Sequence, residues 1–406
     1  MKGSSMQQPR RMVGLQLSEA HPIEETRQQF HWFKQMRAEH PVFYDEKTQY
    51  WQVFRYDDVE RVITDYNLFS SEKVPGFSED TFLGDTMVAK DPPAHRKLRN
   101  IVNQAFTPRA INQLSDHLTQ IMQELLDDAL PKGQIDFVPD IAFPFPAKAI
   151  ALVLGIPDKE WDIFRRWAGT PPGTGPLPRT REEAMQQAHD REQRMYDYFS
   201  ELLAERRRSP SGDILSALSV AEVDGERLSE SDLTKFCLLL LGAGQETTKN
   251  LLANAIYCFT QYPDVRDQLI QQPELMSTAV EEILRYLPPV WYIFRRTKAE
   301  VELGGERIPA NAIVQAWNAS ANHDPEAFPN PDQLDIRREP NRHLTFGHGI
   351  HFCLGAPLAR LEARIGLPMI LTQLKQLRRI PDTPIMVRAG LVYIIQSLPI
   401  TFQVRA

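Results

Sequence analysis

After a polar start, apolar residues from Pro22 to His40 recur with helical spacing and put Phe30 and Phe33 on one side, which predicts a helix. Pro41 to Phe54 then alternates apolar and polar positions around the turn Asp45-Glu46-Lys47, the pattern of a β-hairpin. From Asp91 to about Ala168, and again from Thr180 to Tyr262, the helical period returns with few interruptions. Strand patterning reappears near the C-terminus, where Val301-Glu302-Leu303 and Ile308 to Trp317 flank the turn Gly304-Gly305. Leu391 to Val404, rich in β-branched and apolar residues, adds to it. With no internal repeat and no low-complexity segment, the pattern predicts a mainly helical body with a small β-rich region.

Two stretches break the period. Thr170-Pro171-Pro172-Gly173-Thr174-Gly175-Pro176-Leu177-Pro178 removes backbone donors and adds freedom, so it reads as a loop and a candidate lid. Ser70 to Lys90 also lacks periodicity yet carries Phe77, Phe82, Leu83, Met87 and Val88, an apolar load expected of a loop that covers an apolar space.

Composition narrows the function classes. With 406 residues, 42% of them hydrophobic, the chain can bury a large core. A net charge of −7 gives no global positive field for nucleic acid or anionic lipid, which favours a small-molecule partner. The three cysteines, Cys237, Cys258 and Cys353, have neither the number nor the spacing of a disulfide framework or zinc site, and a reducing cytoplasm fits them. No apolar run reaches 18 residues, so neither a membrane anchor nor export is expected.

The most informative segment is Phe346-Gly347-His348-Gly349-Ile350-His351-Phe352-Cys353-Leu354-Gly355, followed by a helix start at Ala356-Pro357-Leu358-Ala359-Arg360-Leu361-Glu362. Unpaired amides and the positive end of that helix favour thiolate at Cys353, and the glycines let backbone approach a flat group. Taken alone, such a cysteine is more often buried and inert. A second segment, Cys237-Leu238-Leu239-Leu240-Leu241-Gly242-Ala243-Gly244-Gln245-Glu246-Thr247-Thr248, lies in a helical run from about Ser231 to Gln261. Gly242 and Gly244 each cost about 1 kcal/mol there relative to alanine, so they suggest a distortion or a close approach. Leu240, Ala243, Thr247 and Leu251 share a face, which sets one hydroxyl in an apolar stripe. Glu282 and Arg285 stand three apart on another helix, ordinarily a weak surface pair. His95 and Arg99 share a face of the helix that Asp91-Pro92-Pro93 begins.

These segments together resemble the cytochrome P-450 family. The Cys353 segment matches its signature Phe-Gly-x-Gly-x-His-x-Cys-x-Gly at every fixed position, and Ala243 to Thr248 matches its oxygen-activation motif. Stretches such as Asn322-His323-Asp324-Pro325 look like its soluble bacterial branch. The resemblance implies one catalytic domain over residues 1–406, with 1–20 a flexible start, folded as a triangular helical prism with a small β-rich portion. Haem b would lie between the long helix and the Cys-loop helix, with Cys353 as the iron ligand. By position, Thr247 would support bound dioxygen and Glu246, where aspartate is commoner, would relay protons. His95, Arg99, Arg295 and His351 would meet the propionates, a role suited to charge-assisted donors, and Phe346, Ala243, Gly244 and Gly355 would pack on the macrocycle. Glu282 and Arg285 would form a buried structural pair completed by Arg337 or Arg342.

The implied reaction is insertion of one atom of O2 into an apolar substrate of fatty acid, terpenoid, steroid or macrolide type. Electrons would come from a separate ferredoxin or flavodoxin with its NAD(P)H reductase, docked on Arg96, Lys97, Arg360 and Arg364. Substrate contacts are expected at Phe82, Leu83, Val88, Leu239, Leu240, Ala243, Val290, Tyr292, Ile293, Tyr393 and Ile394, with the two tyrosines as hydrogen-bonding candidates. A peroxide-driven peroxygenase and a haem-thiolate sensor or carrier are the alternatives. Asn311, where a glycine often stands, tolerates the positive φ its turn requires.

Overall fold

A computed structural model describes residues 20–77, 82–161, 164, 181–223 and 225–403. The expected loop at 170–178 and positions 1–19 lie outside them. The first helix spans Glu25–Glu39 and buries Phe33 completely, while Phe30 packs at the margin. Phe33 meets Phe54, Trp291 and Trp317 with ring centroids 5.1–6.3 Å apart, so one aromatic cluster fixes this helix to the β region. Full burial of each such ring is worth on the order of 1.5–3 kcal/mol.

The hairpin pairs Val42–Asp45 with Tyr50–Val53, Val42 opposite Val53. It extends through Ile313–Ala316, parallel to Tyr50–Val53, then through Ile293–Thr297 and Phe69–Ser70, giving five strands. The Gly304-Gly305 turn closes Val301–Leu303 onto Glu306–Ile308 only, because the chain turns again at Pro309 to Asn311 before entering the larger sheet. Asn311 adopts φ 63° there, and its amide donates to the Thr297 carbonyl at 2.8 Å. Leu391 to Val404 likewise divides, Ile394–Ile395 pairing with Met386–Arg388 and Pro399–Gln403 with Lys375–Arg379 and Gln134–Asp136. An apolar, β-branched run marks strand character but does not say which sheet each piece joins.

The stretch from Asp91 breaks into helices Ala94–Ala105, Pro108–Asn112, Ser115–Ala129 and Pro144–Val153, with Gln134–Asp136 as a strand among them. Through the middle runs one unbroken helix, Glu230–Gln261, of 32 residues and hence about 48 Å. It starts at a capping box in which Ser229 Oγ accepts from the Asp232 amide at 3.0 Å and Asp232 Oδ2 accepts from the Ser229 amide at 3.3 Å. Cys237 to Leu241 and Leu251 to Ile256 are buried, against Pro144–Val153, Arg181–Arg208 and Ala356–Gln373. Gly244 is the close approach: a Cβ there would stand 2.5 Å from Ile150 Cδ1, whereas Gly242 faces open space. Among the described residues no helix is long and apolar enough to cross a membrane.

Glu282 and Arg285, on helix Met276–Tyr286, are both fully buried. Arg285 donates to both Glu282 oxygens at 2.8 and 2.9 Å and to the carbonyl of Asn322 at 2.8 Å. The third partner is Arg338, whose Nε lies 3.1 Å from Glu282 Oε2, rather than Arg337 or Arg342. Arg337 turns out to Gln272, and Arg342 offers only its carbonyl, to the Tyr56 hydroxyl. In this irregular segment no period tells which of several arginines points inward.

Candidate functional site

Cys353 ends a loop whose turns are set by glycine. Gly347 and Gly349 hold φ near 70°, a region L side chains rarely adopt, and a Cβ on Gly349 would come 3.3 Å from Thr64 Cα. The loop closes when the Cys353 amide donates to the Phe346 carbonyl at 2.9 Å. The helix Ala356–Gln373 begins three residues later with Pro357 in its first turn. Burial pushes the Cys353 thiol up, while the amides of Gly355 and Ala356 and the cations Arg99 and Arg360 pull it back toward thiolate. Gly355 leaves the sulfur open: a Cβ there would sit 3.8 Å from Sγ.

Beside this sulfur, three separate elements bring together four potential cations. His95 and Arg99 come from helix Ala94–Ala105, Arg295 from strand Ile293–Thr297 and His351 from the Cys353 loop. The His95 and His351 rings lie 4.2 Å apart. Burial, reinforced by the neighbouring arginines, holds His95 down at about 4 and His351 at about 3. Burial likewise lowers Arg295 to about 10 and lowers Arg99, which the Cys353 sulfur partly restores. Neither arginine has an ion-pair partner among the described residues; Arg295 donates only to the neighbouring Phe294 carbonyl. The nearby carboxylate Asp91 is taken up by Lys298 at 2.7 Å and by the Ser71 amide at 3.0 Å. Ser71 Oγ meets His351 Nε2 at 3.0 Å. Uncompensated buried cations beside a thiol fit a ligand with a metal at its centre and two carboxylates at its edge, so the residues present suit haem.

On the long helix, the Thr247 hydroxyl donates back to the Ala243 carbonyl at 2.7 Å. Glu246 is held by Lys249, Nζ to Oε1 2.6 Å, and Lys249 itself is nearly buried. Sequence reasoning passed over Lys249, although its spacing of three from Glu246 was a usable signal. It also missed Ser71, which stands 280 residues from His351 with nothing local to connect them. Glu362 is buried with neither carboxylate oxygen partnered among the described residues, and burial raises its pKa well above the usual carboxylate range.

Leu239 and Leu240 are buried on the long helix, and Leu239 lines a small cavity with Phe236, Met87 and Val102. The aperiodic stretch is therefore packed on this helix through Met87, and Asp85 ties it down by ion pairs to Lys90 and Lys235. Phe82 and Leu83 open a short 3-10 turn, but their side chains lie outside the described residues. Val290 bridges to Val392, Val88 and Ile293 are half-buried, and Ile394 pairs with Arg388.

Both tyrosine candidates are corrected. Tyr393 is fully buried, stacked on Trp291 at 4.8 Å, with its hydroxyl 2.8 Å from Thr26 Oγ1. Tyr292 packs on Phe294 and Trp317 at 5.2 and 4.9 Å, on the strand face opposite Ile293 and Arg295. Among the basic docking candidates, Lys97 pairs with Glu226, and Arg360 lies over the Phe346 ring and binds Glu281 through two 2.7 Å hydrogen bonds. Arg96 and Arg364 are exposed without an acidic partner among the described residues, and Phe352 is 38% exposed.

A family model described as cytochrome P450 matches residues 5–146 and 166–392. The putative cytochrome P450 YjiB of Bacillus subtilis is 41% identical over 361 residues, 88% of this chain and 90% of that protein. The cyclomarin C epoxidase CymV of Salinispora arenicola is 36% identical over 352 residues, 86% of this chain and 89% of its own. Among solved structures, CYP109E1 of Bacillus megaterium in complex with corticosterone superposes with a TM-score of 0.87 at 35% identity, covering 93% of this chain and 99% of that one.

Proposed function

Because the chain belongs to the cytochrome P450 family and is a P450 monooxygenase, we propose that it inserts one atom of O2 into an apolar polycyclic substrate, steroid-like compounds being the first to test. The observation that carries this reading is the pair Arg99 and Arg295, without an ion-pair partner among the described residues, gathered with the neutral imidazoles of His95 and His351 beside the Cys353 thiol. Haem b is the group these residues would hold, Cys353 on iron and the cations on the propionates, and it supplies oxygen activation assisted by thiolate electron donation.

The chain's own residues do the rest. Leu239, Leu240, Ala243, Val290, Ile293 and Ile394 form the apolar wall we assign to substrate, keeping water from the reacting carbon. Phe346, Gly244 and Gly355 keep their assignment to the macrocycle's surroundings. Thr247 holds a hydroxyl in that apolar stripe, positioned by its bond to Ala243 O, and is the last proton donor. Glu246, whose side chain is 30% exposed, relays protons to it, and Lys249 holds the carboxylate in place. Electrons arrive from a separate ferredoxin or flavodoxin with its NAD(P)H reductase, docked where Arg96, Arg364 and Phe352 are free. Corticosterone is reported for CYP109E1, and the steroid class comes to this chain from that likeness and from the apolar wall.

The test is a ligand screen on purified haem-loaded protein that follows the Soret band from low to high spin, then product analysis with NADPH, ferredoxin and reductase. A steroid that shifts the band and gains one oxygen supports the reading. Efficient turnover with peroxide alone would make the protein a peroxygenase. Failure to oxidise any ligand that shifts the band would make it a sensor or carrier.

A further inference from the structure

Ten residues past Thr247, about 15 Å along the long helix, its last turns form one wall of a separate cavity of ≈ 320 Å³. The first helix, Glu25–Glu39, lines it as well, together with Tyr286 and His323. None of Cys353, His95, Arg99, Arg295, His351 or Thr247 lines it. The volume lies at the lower end of the range for small-molecule sites, enough for a ligand of two or three fused rings.

Its lining is aromatic, from Phe30, Tyr257, Tyr262 and Tyr286, and most of its polar atoms already satisfy one another. The Tyr262 and Tyr286 hydroxyls lie 2.8 Å apart, and the Tyr393 hydroxyl, expected in the substrate cleft, is instead part of this lining and bonded to Thr26. Asp332, the one carboxylate among the described lining residues, meets His323 Nδ1 at 3.2 Å. Burial keeps the His323 ring neutral, so Asp332 retains its charge and is felt by Lys34; with Arg27 and Lys34 both positive, the net charge of the described lining is positive. Arg27 and Lys34 stand seven residues apart and thus on one face of the first helix, and neither side chain has a hydrogen bond or ion pair with a described residue. Their Cα atoms are about 10 Å apart along the helix, so both long side chains can reach one anion between them.

We propose that this cavity is a second ligand site, taking one small aromatic carboxylate whose rings pack on Phe30 and the tyrosines and whose anionic end meets Arg27 and Lys34. An aromatic body gains from stacking on these rings, and the guanidinium gives a carboxylate a directional partner that water-exposed lysine alone does not. The site is independent of the haem cleft, so its ligand binds whether or not that cleft is filled.

The probe is 2-naphthoate, measured by equilibrium dialysis against full-length haem-loaded protein with imidazole saturating the iron. The expected result is one naphthoate per chain in the presence of imidazole. Affinity falls at least tenfold in the double variant Arg27→Gln/Lys34→Gln and for the neutral 2-naphthamide, while the Soret spectrum of the variant is unchanged. Loss of binding when imidazole is added would place the ligand in the haem cleft and overturn the proposal. Equal affinity in the double variant, equal affinity for the amide, or absence of saturable binding would overturn it as well.

Discussion

Replacing Glu282 by glutamine keeps the volume and most of the shape of the side chain but removes its charge. In the folded protein this carboxylate is fully buried and accepts from Arg285 at 2.8 and 2.9 Å, from Arg338 at 3.1 Å, from Asn341 Nδ2 at 3.1 Å and from the Asp335 amide at 2.9 Å. Glutamine would turn an NH2 toward some of these donors and leave Arg285, itself fully buried, without a counter-charge. Breaking such a buried pair by removing one partner costs about 3–5 kcal/mol, a large part of the 5–15 kcal/mol or so that holds a typical domain folded. With a urea slope at the upper end for large chains, about 3 kcal/mol per molar, the midpoint should fall by roughly 1–2 M. The control is Arg207→Ala, which breaks an ion pair to Glu230 of similar length, 3.0 Å, between side chains 39% and 52% exposed. Water screens that pair, so its loss should change stability by less than about 1 kcal/mol. The assay is urea unfolding followed by far-UV circular dichroism on both variants, with the ferrous carbon monoxide spectrum as a check on the haem pocket. Equal shifts in the two variants, or a Glu282→Gln midpoint within error of wild type, would show that burial is not what gives this carboxylate its weight.

Cys353→Ser should abolish the red-shifted Soret band of the ferrous carbon monoxide complex, and an intact band would remove Cys353 from the iron. Thr247→Ala should leave NADPH consumption nearly intact while product falls at least about tenfold, at the low end of what one positioned proton donor contributes; the ratio of product to NADPH reads it, and unchanged coupling would refute the role. Burial alone would raise Glu281, but hydrogen bonds from Arg360 and His343 outweigh it and bring it to about 2. Its folded value lies below the ordinary 4.5, so the stability it contributes is complete above pH 4.5 and is lost as pH falls toward 2. That contribution is on the order of 2 kcal/mol, since both partners remain partly exposed; Arg360→Gln should therefore be less stable than wild type at pH 7, and the gap should shrink by about half between pH 5 and pH 3 in urea unfolding. Gly242→Ala should stabilise by up to about 1 kcal/mol, because its Cβ would meet nothing, whereas Gly244→Ala must displace Ile150 and should destabilise; thermal unfolding of the two variants compares them.

What the sequence determined by itself was whatever neighbours in the chain decide. The long helix was legible because some thirty residues of helical period encode it locally, with its Ser229 cap two residues ahead of the start the period gives. The Cys353 loop could be read because its glycines, its closing amide bond and the helix that follows all fall within about a dozen positions. Glu282 and Arg285 could be paired at a spacing of three, but not weighed, since burial is a property of the packed molecule. Only the tertiary structure decided the rest. It chose Arg338 over two other arginines in a segment without regular period. It sent the Tyr393 hydroxyl to Thr26, 367 residues away. It gathered His95, Arg99, Arg295 and His351 from three elements, setting two arginines and two imidazoles beside one sulfur. A local pattern fixes which face of an element is apolar, because backbone geometry repeats over a few residues; which distant side chains then meet depends on how those faces stack, and no short stretch of sequence carries that.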